Sequence, residues 1–330
     1  FILATWTNIP YLEVAAAAII PSILYYVALL AAIHFRASAM GIEPVKEASP
    51  EKIGDKLHLL LPLGAIVLLL AMGRSPMRAA FWGVISALAM AFLRPATRPS
   101  LPELGEVMER GGRGAVQVAA ACAAAGVVVG VASLTGIGLR MSELIVTISG
   151  GSLLAALMLT AIGSIILGMG LPTTAAYVVL AALGAPALVQ LGVPLLAAHL
   201  FIFYFGCISN VTPPVSLAAF AAAGISGSPA LKTSISAAIL AGAGFVVPFM
   251  FVYGPELLLI GSPVEIVLAF VTGLLGVIAL ASAGMGYARR PLRAWERAIA
   301  GCAALSLVHP GLPTDALGLL LLAFIFTSRH

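Results

Sequence analysis

Two short stretches of this chain hold residues able to do chemistry, and both interrupt apolar runs. They read Gly168-Met169-Gly170-Leu171-Pro172-Thr173-Thr174 and Ser209-Asn210-Val211-Thr212-Pro213-Pro214. Neither carries an ionised side chain; what they offer is oxygen and amide hydrogen. Proline lacks an N–H and clashes with the preceding turn, so neither stretch continues an α-helix. Unwound carbonyls near Gly168, Gly170, Ser209 and Asn210, with the side-chain oxygens of Thr173, Thr174, Asn210 and Thr212, form a donor set suited to a dehydrated Na⁺. Gly168 and Gly170 permit the backbone angles that close approach needs. Pro172, Pro213 and Pro214 restrict rehealing into helix and keep carbonyls available. Half-helices starting near Thr173 and Pro214 aim N–H groups and a partial positive charge at the same region, which favours an anion such as a carboxylate.

The elements that must position these residues are membrane helices. The chain has 330 residues, 61% of them hydrophobic and 9% charged, with a mean hydropathy of +1.11. Soluble domains carry roughly 25% charged residues. Apolar runs of about 20 residues fit spanning helices, whereas barrel strands alternate over about ten. Approximate spans fall at 11–33, 57–72, 79–93, 115–135, 193–224 with its break, 231–253, 264–284, 295–309 and 315–327, with 144–184 a special case. Leu101–Arg110 reads as an interfacial helix leading into the span at 115. The chain begins at Phe1 inside an apolar run, without a basic n-region, and reads as the back part of a longer protein.

Basic residues orient the spans. Arg36, Lys46, Lys52, Lys56, Arg94, Arg98, Arg110, Arg113, Lys232, Arg289, Arg290, Arg293, Arg297 and Arg329 fall on one side; Arg74, Arg78 and Arg140 fall on the other. This holds if 144–184 crosses an even number of times. The simplest solution is a re-entrant hairpin: Gly151–Leu167 entering, a tip at Gly168–Thr174, and Ala175–Leu183 leaving toward the outer face. A weak repeat agrees. Phe1–Leu12 aligns without gaps to Phe220–Leu231, matching Phe, Pro and Leu, and the charge rule sets the two copies at opposite faces. Similar segments of opposite orientation are the mark of an inverted repeat, and paired interruptions at membrane depth point to a transporter's binding site. Taken singly, each break reads as an ordinary Pro kink.

Other chemistries fare poorly. All thirteen Asp and Glu residues lie in loops or at span ends, which excludes an aspartyl intramembrane protease. A Ser–His pair (Ser164 or Ser209 with His199) lacks a nucleophile motif. His199, the one histidine well within a core helix, reads as satisfying a backbone carbonyl or sitting near the interface, though it leaves proton coupling open. Cys122, Cys207 and Cys302 are spaced as buried hydrophobes, not metal ligands. The net charge of +4 is confined to loops and gives no nucleic-acid footprint.

At Gly168–Tyr177 and Asn210–Phe220 the sequence resembles the large membrane subunit of TRAP (tripartite ATP-independent periplasmic) transporters, specifically the fused permeases of the TAXI type. The likeness extends over essentially the whole chain, including Gly112–Leu139 and the tail Glu296–Leu322 with His309-Pro310-Gly311. It implies an all-α polytopic membrane protein: an inverted-repeat, elevator-type transporter with a re-entrant hairpin and a discontinuous helix. It implies a Na⁺ gradient as driving force, no other cofactor, and a small organic acid delivered by a periplasmic binding protein. A small membrane subunit would be fused upstream, in a bacterial or archaeal inner membrane. Carried over, Gly168, Gly170, Pro172 and Thr173 would join Ser209, Asn210, Thr212 and Pro213 around one Na⁺. Thr173, Thr174, Asn210, Pro214 and Ser216 would form the substrate edge.

The expected organisation is then 1–35, the end of a truncated first repeat; 36–56, a cytoplasmic connector; 57–143, scaffold helices; 144–230, hairpin and discontinuous helix; and 231–330, C-terminal membrane helices. The first hairpin and the first Pro-Pro break should lie upstream of Phe1, so this stretch alone should not transport. Competing readings are a proton-coupled carrier of the same fold and a non-transporting membrane scaffold subunit.

Overall fold

The computed structural model describes residues 1–42, 58, 60–93, 98–307 and 311–327. Among them every regular element is a helix, apart from one bridge between Tyr287 and Pro291. The chain is an all-α, multi-pass membrane protein. Among the described residues five helices are long and apolar enough to cross a bilayer, six if one bent pair counts as a span. Large apolar side chains stay uncovered on their outer faces, Leu30, Ile166 and Val264 among them. Lipid tails solvate such side chains as well as a protein core does.

The chain divides into two compact units, 1–15 with 43–120, and 16–42 with 121–330. The first holds α1 (Ile2–Thr7), the start of α2 (Tyr11–Ala17), α4 (Leu61–Ala71), α5 (Pro76–Leu93) and the first part of α6 (Leu101–Thr135). α4 and α5 pack as a hairpin, with Ile66 filling the space over Gly83. The expected interfacial helix is not separate: Leu101–Arg110 runs on into the span as one 35-residue helix. Gly111, Gly112 and Gly114 each cost about 1 kcal/mol relative to Ala there. The i,i+4 pair Arg113–Glu109 at 2.7 Å spans Gly111 and Gly112, and Arg110–Glu106 at 2.8 Å supports the turn before them.

The second unit holds α3 (Ile19–Ala39), the rest of α6, and the helices α7 (Ile137–Ile148), α8 (Leu153–Gly168), α9 (Thr173–Gln190) and α10 (Leu195–Ile208). It continues with α11 (Leu217–Ser226), α12 (Ala230–Leu240), α13 (Val247–Tyr253), α14 (Pro263–Met285), α15 (Ala294–Ser306) and α16 (Leu312–Thr327). α8, α9 and α10 pack on one another, α7 lies against α9, and α3, α14, α15 and α16 form a second cluster. α14 shows how the sequence sets an end: Ser262 caps Glu265, Glu265 caps back, and Pro263 opens the first turn. Gly286 closes the helix in the left-handed region.

Two spans differ from the sequence expectation. The second hairpin arm reaches Gln190 rather than Leu183, because Pro186 is accommodated within the helix. The apolar run 193–224 breaks as expected, between α10 and α11, as its prolines require. The run 231–253, expected to be continuous, breaks after α12 into a short 3₁₀ turn at Gly242–Phe245 and bends by 65° into α13. Gly242, Gly244 and Pro248 carry the signal for that break. The connector 36–56 is described only at its start, where α3 runs on to Ala39; the rest of it, Arg94, His309-Pro310 and Arg329 lie outside the described residues.

The repeated segments share local structure. α1 ends at Asn8 with φ 60° and ψ 21°, and α11 ends at the aligned Gly227 with φ 67° and ψ 14°. In each copy a proline follows two residues later and the next helix starts directly after it, at Tyr11 and at Ala230. Left-handed termination suits Gly at no steric cost and Asn at a small one.

Candidate functional site

The site is built from the ends of four helices, α8 to α11. α8 stops at Gly168 because Met169 turns extended and Gly170 takes φ +80°, a conformation glycine adopts freely. Pro172 then precedes α9 without a side-chain cap. The first intrahelical acceptor is Pro172 O, bound by Ala176 N, so the N–H groups of Thr173, Thr174 and Ala175 have no intrahelical partner. Gly170, Pro172 and Thr173 are exposed, Thr174 is half-buried, and Gly168 is buried.

α10 ends at Ile208, followed by one 3₁₀ turn at Ser209–Val211 and an extended Thr212. The Pro213–Pro214 peptide is cis. α11 starts at Leu217, so the second half-helix opens three residues beyond Pro214, where the sequence placed it. Its N-cap, Ser216, has φ 29° and makes no capping bond. Phe220 N donates to Ser216 O, which leaves the Leu217, Ala218 and Ala219 N–H groups at an open helix start.

The two gaps meet. A Cβ built on Gly168 would lie 2.9 Å from Ser209 Oγ and 3.6 Å from Gly206 Cα. One built on Gly170 would lie 3.8 Å from Val215 Cγ1. The hairpin tip is therefore seated on the discontinuous helix at both ends of its turn.

The hydroxyls at the break spend their protons backwards. Ser209 Oγ donates to Gly206 O at 2.7 Å, and Thr212 Oγ1 to Ile208 O at 2.8 Å. The Asn210 amide nitrogen faces the carbonyls of Gly206 and Cys207 at 3.5 and 3.4 Å. A hydroxyl whose proton is committed is an acceptor toward everything else, and an amide whose NH₂ is turned away keeps its oxygen available. Oxygens in that state suit a cation. Among the described residues no group of three or more His, Cys, Asp or Glu is placed to hold a metal ion, so the donors here are neutral.

Ser216 stands apart from the other expected substrate residues. It is fully buried, and its hydroxyl pairs with that of Ser234 on α12, also fully buried. In this conformation Ser216 ties the start of α11 to α12; contact with a ligand would require that pair to open.

Two features of the site were not foreseen. The third break supports the second: Gly244 leaves the space that Ile208, the last residue of α10, fills together with Tyr25. His199 accepts or shares a hydrogen bond with a side chain, not a backbone carbonyl: Tyr177 Oη and His199 Nδ1 are 2.8 Å apart, joining α9 to α10. Both residues are buried. Tyr177 lies in the motif that marks the hairpin, but nothing in its spacing pairs it with His199. Neither Ser164 nor Ser209 is bonded to His199, and Ser209 is committed to Gly206.

One family model matches the chain, that of DctM: Tripartite ATP-independent periplasmic transporter, DctM component, over residues 1–266. No curated protein and no solved structure matches.

Proposed function

Because this chain belongs to the DctM-component family of tripartite ATP-independent periplasmic transporters, we propose that it is the part of the permease that couples Na⁺ entry to uptake of a small organic acid. The observation that carries the reading is the seating of Gly168 on Ser209, which brings the two unwound gaps into one place. One Na⁺ would bind among carbonyls of Gly168, Gly170, Pro172 and Pro213 and the oxygens of Thr173, Ser209, Asn210 and Thr212. An acid's carboxylate would be received at the open N-termini of α9 and α11, near Thr173, Thr174, Asn210 and Pro214. Cation and anion then neutralise each other in a low-dielectric site, so each favours the other's binding.

Membership of a tripartite family supports two partners, a substrate-binding protein outside the membrane and a small membrane subunit. The motif resemblance supports the fused TAXI type, an inner-membrane location and an elevator motion of the hairpin region. Proton coupling is the weaker alternative. His199 lies about ten residues, roughly 15 Å of helix, from the break at Ser209, and its ring is engaged by Tyr177.

The test is uptake of radiolabelled carboxylic acids by the full-length permease in proteoliposomes with its binding protein, under an imposed Na⁺ gradient. Uptake that follows the Na⁺ gradient supports the reading. Uptake indifferent to Na⁺ and driven by a proton gradient would replace it with the alternative.

A further inference from the structure

α3 and α14 pack side by side, and their C-terminal turns border a cavity of about 330 Å³. Its walls are Phe35, Leu275, Ile278 and Leu322, from α3, α14 and α16. His34 and Arg289 line it too, and both are exposed. The loop that places Arg289 is a tight one. Gly286 ends α14 in the left-handed region, Leu292 N donates to Gly286 O at 2.9 Å, and Tyr287 bridges to Pro291. Arg289 is thereby held beside the end of α14. Arg290 is paired with Glu296 at 2.6 Å, and Arg297 caps α14 through Ala283 O and Gly284 O at 3.0 and 3.1 Å.

The cavity therefore has an apolar body between membrane helices and a cationic mouth at the membrane surface. The basic residues crowd at that surface, with Arg36 in the last turn of α3 and Arg293 beyond the loop. We propose that this cavity holds an anionic phospholipid, its phosphate at Arg289 and His34 and an acyl chain along Phe35, Leu275, Ile278 and Leu322. Guanidinium matches a phosphate with two parallel N–H bonds, and basic pockets between membrane helices on the cytoplasmic side recognise anionic headgroups. A zwitterionic lipid would fill the same apolar body, but its ammonium group would meet the same cations. The bound lipid would tie α3 and α14 to α16. This site is separate from the gaps at Gly168 and Ser209 and does not depend on what they bind.

The experiment is native mass spectrometry of the purified protein in mixed micelles of phosphatidylglycerol and phosphatidylcholine with matched chains. Phosphatidylglycerol should be retained about fivefold over phosphatidylcholine, the preference of one favourable surface cation. Arg289→Ala should bring the two lipids to near parity, while Arg113→Ala, which removes an exposed arginine elsewhere, should leave the preference intact. Ile278→Trp keeps the guanidinium but fills the cavity, and should lower retention of both lipids. A thermal-unfolding arm separates lipid from free anion: phosphatidylglycerol should raise the midpoint and inorganic phosphate should not. Equal retention of both lipids by the unaltered protein, an undiminished preference in Arg289→Ala, or equal stabilisation by inorganic phosphate would each overturn the proposal.

Discussion

The hydroxyl of Ser209 occupies the space that a side chain on Gly168 would need, 2.9 Å from where its Cβ would sit. Ser209 is itself 1% exposed and bonded to Gly206 O. The close approach of α8's end to α10's end therefore depends on the absence of one carbon atom. It also defines where a cation would find carbonyls from both elements at once.

Gly168→Ala should separate the two gaps. Overpacking at such a contact costs about 1–3 kcal/mol. The expected outcome is a protein that inserts and folds but has lost most Na⁺-stimulated uptake. Ser209→Gly in the same chain should relieve the clash and restore part of the stability, read as the thermal midpoint of the double variant against the single.

Asn210→Ala and Thr212→Val each remove a side-chain oxygen from a group whose amide or hydroxyl hydrogen is donated to carbonyls of α10. Losing one contact to a charged group costs about 1.5–3 kcal/mol, roughly tenfold or more in the Na⁺ concentration giving half-maximal uptake. Expression should stay unchanged. Identical Na⁺ activation curves in both variants and the unaltered protein would count against the site.

Tyr177→Phe removes the partner of a buried imidazole. The cost expected is about 1–3 kcal/mol, that of an unsatisfied buried polar group. The thermal midpoint should fall while the Na⁺ activation curve keeps its shape, because the Tyr177 hydroxyl is bonded to His199 and is not among the oxygens proposed to hold the ion. A proton-dependent carrier using His199 would show the reverse: an altered pH profile of uptake with little loss of stability.

The topology is tested by cysteine labelling in intact cells on a cysteine-free background. Ile260→Cys, exposed in the loop before α14, should react with an impermeant maleimide from outside. Arg293→Cys, exposed in the loop after it, should react only once the membrane is opened. The opposite pattern would invert the orientation read from the basic residues.

The sequence by itself determined the composition class, most helix positions and the two gaps at Gly168–Thr174 and Ser209–Pro214. Prolines without an N–H and glycines free to take positive φ act locally, so their effect is legible without knowing the fold. The turn shared by the two aligned segments was legible for the same reason, since Asn8 and Gly227 end their helices by the same backbone conformation. Local signals misled where several compete. The glycines after Arg110 do not end α6, and the run through Gly242 and Gly244 does not continue as one span.

Only the tertiary structure decided what meets what. Gly168 against Ser209, Tyr177 with His199, Ser216 with Ser234, and Ile208 in the space over Gly244 join residues from different helices. Side-chain type sets what each could bond, but helix packing sets which partner arrives. Packing depends on the whole surface of each helix, not on the few residues around a motif.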